Sequence, residues 1–289
     1  MDKTTVHREQ TIFYRDYAPD ESERPPSRNL STDVPVVLLH GFAEDGGIWD
    51  RQTEQLKKNF RLIVPDLPGS GRSSPLNAAT SMEELADAIA ALLDAEKIEQ
   101  AILVGHSMGG YVSLAFVEKY APRCRAFGLF HSTAYPDSEE KKAIRRKSMA
   151  FISKHGAAEF IRQSTPNLFA ENSREAHPEW ITEIVEHYGG MDASSLNHYY
   201  QAMIDRPDRT GVLTRSGLPT LLVIGRHDNT LPFEASLRQA HMPSLAFIHI
   251  LEEAGHMGMI ETAALGNKIL EEFLFLLQSQ YPFDGGHEG

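Results

Sequence analysis

Apolar residues along this chain come mostly in short unbroken runs rather than in alternation. Six stand out: VPVVLLH (34–40), RLIVPD (61–66), QAILVGHS (100–107), AFGLFHS (126–132), PTLLVIGRHD (219–228) and LAFIHIL (245–251). Unbroken runs of this length predict strands covered on both faces. A further strand is predicted around Thr11 to Tyr17. Between the runs the period lengthens. From Ser81 to Ala95, Leu85, Ile89, Leu92 and Leu93 fall on one helical face, and Ser81 with Glu84 three residues on makes a capping-box start. Near the C-terminus Leu265, Ile269, Phe273 and Leu276 repeat the helical spacing. Strands alternating with helices predict an α/β fold: a mostly parallel central sheet of about eight strands with helices on both faces.

The alternation stops between His131 and about Gly211. Here helix-like segments follow one another with no strand-like run between them. Asp137 and Glu140 suggest a capping box for the first, and Gly156 its stop; Pro178 opens the next and Gly189 follows its end; DASSLNHYYQAMIDRPD reads as a third. The expected organisation is a core formed by 1–131 and 211–289, with 132–210 inserted as a helical cap over the C-terminal edge of the sheet. The polar, proline-rich APDESERPPSRNLSTD (18–33) reads as a surface loop, and the tail DGGHEG as a frayed end.

Composition narrows the possible partners. The 289 residues are 41% hydrophobic and 24% charged, an ordinary globular balance that suits one large domain or two small ones. A net charge of −12 argues against nucleic-acid binding, which draws on clustered Lys and Arg, and leaves a small molecule as the expected partner. The single cysteine, Cys124, has no intramolecular partner and sits at the end of an expected helix, so it reads as structural. No Cys/His spacing for zinc appears, and neither a metal nor an organic cofactor is expected. The N-terminal MDKTTVHREQ has no apolar signal core, and no stretch approaches bilayer length. Those two features predict a cytoplasmic protein without membrane insertion.

The stretch LVGHSMGG (103–110) carries the chemistry. Gly105, Ser107 and Gly109 fit G-x-S-x-G at a predicted strand-to-helix junction. A serine lifted onto so sharp a turn projects its hydroxyl above the sheet. Side chains two residues to either side would strike neighbouring backbone, hence the glycines. A serine that only capped the helix would need neither of them.

With this motif the chain resembles the α/β-hydrolase superfamily over nearly its full length. LLHGFAED resembles the family's oxyanion loop, VPDLPGSGRSS the loop after its fourth strand, and GHSMGG its nucleophile elbow. LLVIGRHDNTLP resembles the acid-bearing loop, and EEAGHMGMIE the histidine loop. Five motifs in the family's order are far more specific than one, and the pattern is nearest to carboxylesterases with a helical cap. The resemblance implies Ser107 as nucleophile, Asp228 as orienting acid and His256, one of thirteen histidines, as base. It also implies an oxyanion hole built from the backbone N–H groups of Phe42 and Met108. Asp66 competes as acid by appearance but shapes a loop in the family, while Asp205 and Asp208 remain possible relocated acids. His40 is expected to order the HGF turn, and His106 and His227 to be structural.

Specificity is less legible. His131, Met149, Trp180 and Tyr199 are the residues expected to face a pocket, with Phe151, Ile152, Phe160, Leu168, Phe169, His198 and Tyr200 as further candidates. The basic cluster Lys141, Lys142, Arg145, Arg146 and Lys147 reads as a solvated helix face rather than a site for acidic substrates. The expected activity is hydrolysis of small carboxylic esters through an acyl-enzyme. Relatives use the same residues on C–C bonds, on lactones or in making peracids; the C–C hydrolases usually carry asparagine before the serine, where this chain has His106. A small-molecule receptor with the same fold is the remaining reading, from a different class.

Overall fold

The computed structural model describes residues 1–19 and 34–280. The loop expected over 18–33, apart from its first two residues, and the tail expected to fray lie outside the described residues. One eight-stranded sheet forms the centre: β1 (Asp2–His7), β2 (Gln10–Tyr17), β3 (Val36–Leu39), β4 (Leu62–Pro65), β5 (Ala101–His106), β6 (Cys124–Phe130), β7 (Thr220–Gly225) and β8 (Ala246–Leu251). Their order across the sheet is β1-β2-β4-β3-β5-β6-β7-β8. The β1–β2 and β2–β4 pairs are antiparallel, and every other pair is parallel.

Every residue of β3, β4, β5 and β7 is buried, as unbroken apolar runs require when helices cover both faces. β1 escaped the sequence reading because it is a polar edge strand, DKTTVH, alternating between exposed and partly buried positions. Charge anchors it: Lys3 Nζ donates to Asp16 Oδ2 (2.7 Å) and Glu96 Oε1 (2.9 Å), with Arg61 on the same two carboxylates.

The helices are α1 (Asp50–Leu56), α2 (Met82–Ala95), α3 (Met108–Tyr120), α4 (Glu139–His155), α5 (Ala157–Ser164), α6 (Glu171–Ala176), α7 (Pro178–Tyr188), α8 (Ala193–Asp205), α9 (Thr210–Arg215), α10 (Phe233–Leu237), α11 (Gly258–Glu261) and α12 (Ala263–Gln280). In α2 the predicted stripe is buried, and Ser81 Oγ accepts from the Glu84 N–H. Between β6 and β7 the chain forms α4 to α9 and no strand.

Three local expectations are corrected. Ser138, not Asp137, caps α4 by accepting from the Lys141 N–H, because the Asp137 carboxylate is buried and taken up by Arg145 and Arg206. In α12 Leu265 is 45% exposed; Ile269, Leu270, Phe273, Leu274 and Leu277 make the buried stripe, rotated from the expected one. Cys124 begins a strand rather than ending a helix, and burial pushes its thiol up to about 12, which keeps it protonated and inert. Among the described residues no helix is long and apolar enough to cross a membrane.

β5 runs between β3 and β6, pairing Leu39 with Gly105 and Phe130 with His106, so its C-terminal end emerges at the middle of the sheet. Leu103 in this strand is fully buried. We expect Leu103→Ala to lower unfolding free energy by about 3 kcal/mol in urea titration; a loss below about 1 kcal/mol would mean that the strand is less tightly packed than described.

Candidate active site

β5 delivers the chain to Ser107, whose backbone takes φ 49° and ψ −112°, and α3 starts at the next residue. A positive φ is strained for a residue with a side chain, and the surroundings hold it there. The Ser107 N–H donates to the Phe130 carbonyl (3.0 Å), and the Ser107 carbonyl accepts from Ser132 Oγ (2.7 Å) and the Gly110 N–H (3.0 Å). A Cβ on Gly105 would run into the backbone of Gly109 and Gly110, and one on Gly109 into the carbonyls of Leu39 and His40. The glycine spacing is therefore the clearance this turn needs.

Asp228 lies three residues beyond β7. Its Oδ1 accepts from the N–H groups of Thr230 and Leu231 (2.8 Å each), and His256 Nδ1 donates to its Oδ2 (2.7 Å). Burial pushes the Asp228 carboxyl up, but His256 beside it, together with His131 and the Leu231 N–H, more than offsets this and holds it below the usual range. An ionised carboxylate on Nδ1 leaves Nε2 of a neutral His256 free to accept a proton. The main chain at His256 is gripped on both sides: its N–H donates to the Leu168 carbonyl (2.7 Å), and its carbonyl accepts from His106 Nε2 (3.0 Å). Glu261 braces the same loop, accepting from the N–H groups of Gly255, Met257 and Ala170.

The loop after β3 is held by side chains that the sequence reading treated as secondary or did not single out. The Leu67 N–H donates to His40 Nε2 (2.9 Å), so Nδ1 carries the proton that meets the Gly41 carbonyl (2.8 Å). Asp66 accepts from the Gly46 and Arg72 N–H groups, which confirms a loop-shaping position. Glu44 accepts from the Gly41 N–H (2.7 Å) and from His106 Nδ1 (3.0 Å). The His106 ring thus bridges the Glu44 carboxylate and the His256 carbonyl, one at each nitrogen. Burial pushes the Glu44 carboxyl up, yet the His106 charge and hydrogen bond and the Gly41 N–H hold it below the usual range. Glu44 and His106 thus tie the Phe42 loop to the His256 loop. Only contact across three chain segments reveals this; in sequence His106 merely precedes the serine.

A cavity of about 240 Å³ opens over this floor, and Phe42, Ser107 and His256 all line it. Tyr111, Ile144, Phe160, Tyr200, Met203 and Leu231 add apolar wall, and Phe42 stacks on Tyr200 with ring centroids 4.1 Å apart. Met108 is buried as the first residue of α3, where its N–H belongs to the free first turn. The four principal pocket candidates are corrected. Tyr199 is fully buried and donates to the Pro68 carbonyl (2.5 Å), while its neighbour Tyr200, about 100° round the helix, faces the cavity. Trp180 stacks on His177 at 4.0 Å, and Met149 packs against the core. His131 is buried 3.7 Å from Asp228, behind the acid rather than at the wall. Asp205 accepts from Gln201, and Asp208 from Thr210, so neither meets His256. Among the described residues no cluster of three or more His, Cys, Asp or Glu side chains is arranged to hold a metal ion.

Two buried polar groups generate predictions. His106→Phe leaves the buried Glu44 carboxylate without its imidazole partner, and we expect a loss of about 3 kcal/mol in urea unfolding that Glu44→Gln in the same chain partly restores; equal stability of all three proteins would remove the pair from the account. Neither nitrogen of His131 has a hydrogen-bond partner among the described residues. Burial, against the pull of Asp228, pushes its imidazole down to about 3. The unfolded chain takes up a proton there below about pH 6.5 and the folded one does not, so stability is lost as pH falls from that point toward 3. Between pH 7 and pH 5 His131 contributes a loss of about 2 kcal/mol, and His131→Asn is expected to flatten that limb; an unchanged slope would count against it.

Comparison with known proteins identifies the family. A family model described as the alpha/beta hydrolase family matches residues 36–265. A 2-hydroxymuconate semialdehyde hydrolase from Pseudomonas sp. (strain CF600) is 28% identical over 255 residues, which is 83% of this chain and 86% of the relative. A thermophilic esterase from Thermogutta terrifontis superposes with a TM-score of 0.86 at 28% identity, covering 96% of this chain and all of that one. The enol-lactonase of Burkholderia xenovorans LB400 shares the fold with a TM-score of 0.84 at 22% identity, over 94% of this chain and all of that one. The chain belongs to the alpha/beta hydrolase family and is a hydrolase of that type.

Proposed function

We propose that the protein hydrolyses carboxylic esters of small molecules through an acyl-enzyme on Ser107. The observation that carries this reading is a serine on a strained strand-to-helix turn sharing one cavity with a histidine whose far nitrogen is held by a buried carboxylate. Ser107 Oγ attacks the ester carbonyl carbon as His256 Nε2 takes its proton. Asp228 keeps the imidazole in the tautomer that makes Nε2 the acceptor and stabilises the imidazolium that forms. The carbonyl oxygen gains negative charge facing the N–H groups of Phe42 and Met108, each worth about 3 kcal/mol to the transition state. The tetrahedral species collapses, the C–O bond to the alcohol breaks, and His256 returns the proton to the leaving alcohol. Water then repeats the cycle on the acyl-enzyme and releases the acid. Helices α4 to α8 act as a cap (132–210) on the core of 1–131 and 211–289, and supply most of the apolar wall.

A C–C hydrolase reading draws on the name of the Pseudomonas relative. His106 weighs against it, since the relatives that cleave such bonds usually carry asparagine there. Both readings need Ser107. We expect Ser107→Ala to fold normally and to lower turnover of p-nitrophenyl acetate by at least about 10⁴-fold, and a fluorophosphonate to add once, at Ser107, in intact-mass measurement. Retained turnover in that variant would sink both readings; labelling of the wild type without ester turnover would favour the C–C alternative.

A further inference from the structure

Ester hydrolysis needs no cation at the cavity wall, yet two line it. Lys141 and Arg145 stand four residues apart on α4, on one helical face, and both border the cavity that holds Ser107. The same cluster's Arg146 and Lys147 are exposed, and Lys142 pairs with Glu139. The helical period thus divides the basic run: part is the solvated face that its composition suggests, and part turns inward.

The inward part carries more positive charge than the protein compensates. Arg145 Nε donates to Asp137 Oδ2 (2.5 Å), and the same carboxylate accepts from Arg206 (2.9 Å). Both guanidiniums are buried, so one carboxylate serves two of them. The Lys141 ammonium meets only a neutral acceptor, the Thr230 carbonyl at 3.2 Å. Among the described residues no carboxylate lies within ion-pair reach of it. Two other buried anions of the site are already engaged: Asp228 by His256 and two N–H groups, Glu44 by His106 and Gly41. Burial and the Arg145 charge together push the Lys141 ammonium below the ordinary lysine range, while Asp137 and Asp228 oppose them. An uncompensated ammonium in a largely apolar cavity is costly unless an anion joins it.

We propose that the substrate supplies that anion: the cavity takes esters that bear a carboxylate of their own, and Lys141, backed by Arg145, binds it. This rests on the reading of Ser107 as an ester hydrolase and narrows its substrate class. An anionic ester seats its carboxylate at Lys141 while its ester carbonyl lies at Ser107. A neutral ester of the same length leaves the ammonium unpaired.

Two matched pairs of substrates test this with the full chain. Mono-p-nitrophenyl adipate against p-nitrophenyl hexanoate places the charge in the acyl half; 4-acetoxybenzoate against phenyl acetate places it in the leaving group. The readout is the ratio of kcat/KM, anionic over neutral, which is independent of the fraction of a variant that folds. In the wild type at least one ratio is expected to reach about tenfold, a typical size for a charge-assisted contact. Lys141→Met is expected to bring that ratio to about one, Lys141→Glu to invert it, and Lys141→Arg to keep it. Neutral esters turned over as well as both anionic ones would overturn the proposal, as would a preference that survives Lys141→Met and Lys141→Glu. Failure of the underlying hydrolase reading looks different: none of the four esters turns over and no fluorophosphonate adduct forms on Ser107.

Discussion

A side chain held at positive φ between a strand and a helix requires open space on both flanks and firm hydrogen bonds to its own backbone. Ser107 has both. Gly105 and Gly109 clear the approach of the turn to itself and to the end of β3, while Phe130 and Ser132 on the β6 side bind its N–H and carbonyl. This works only because β5 is central, with β3 and β6 as parallel neighbours ending at the same height. The loops that follow β3, β6, β7 and β8 then crowd around one point, and the strain at that point is held by the sheet rather than by the loop itself.

The floor of the site is a set of buried polar groups that hold one another. Glu44 meets one nitrogen of His106 and the His256 carbonyl meets the other, so the oxyanion-loop candidate and the base candidate share one support. Asp228 accepts three hydrogen bonds, which leaves little unmet demand on the carboxylate. His131 is the exception: it is buried against Asp228 and stays uncharged because burial outweighs the attraction. Charge enters the wall through α4 alone among the helices that cover it, at Lys141 and Arg145.

The buried strands along the chain, the glycine spacing around Ser107, the α2 cap and the helical segment before β7 were all legible in the sequence. These depend on local rules: apolar runs for buried strands, a period of 3.6 for helices, and glycine where a side chain has no room. The elements that escaped share one physical cause. β1 is held by ion pairs to Asp16 and Glu96 rather than by apolar burial, so it carries no apolar run. Asp137 looks like a cap until the Arg145 side chain, two turns into α4, and Arg206, from far along the chain, take up its carboxylate.

The same division holds at the site. Sequence alone determined which residue types to expect at the site: a serine on a sharp turn, then an aspartate after one strand and a histidine after the next, in an order shared with a known family. Only the tertiary structure decided the rotation of each helix about its axis, which turns Tyr200 to the cavity and Tyr199 away, and carries Lys141 and Arg145 inward from a run that reads as solvated. A helix tells from its own pattern that one face is buried; what that face meets depends on the surface it packs against, and that surface is built from segments a hundred residues away.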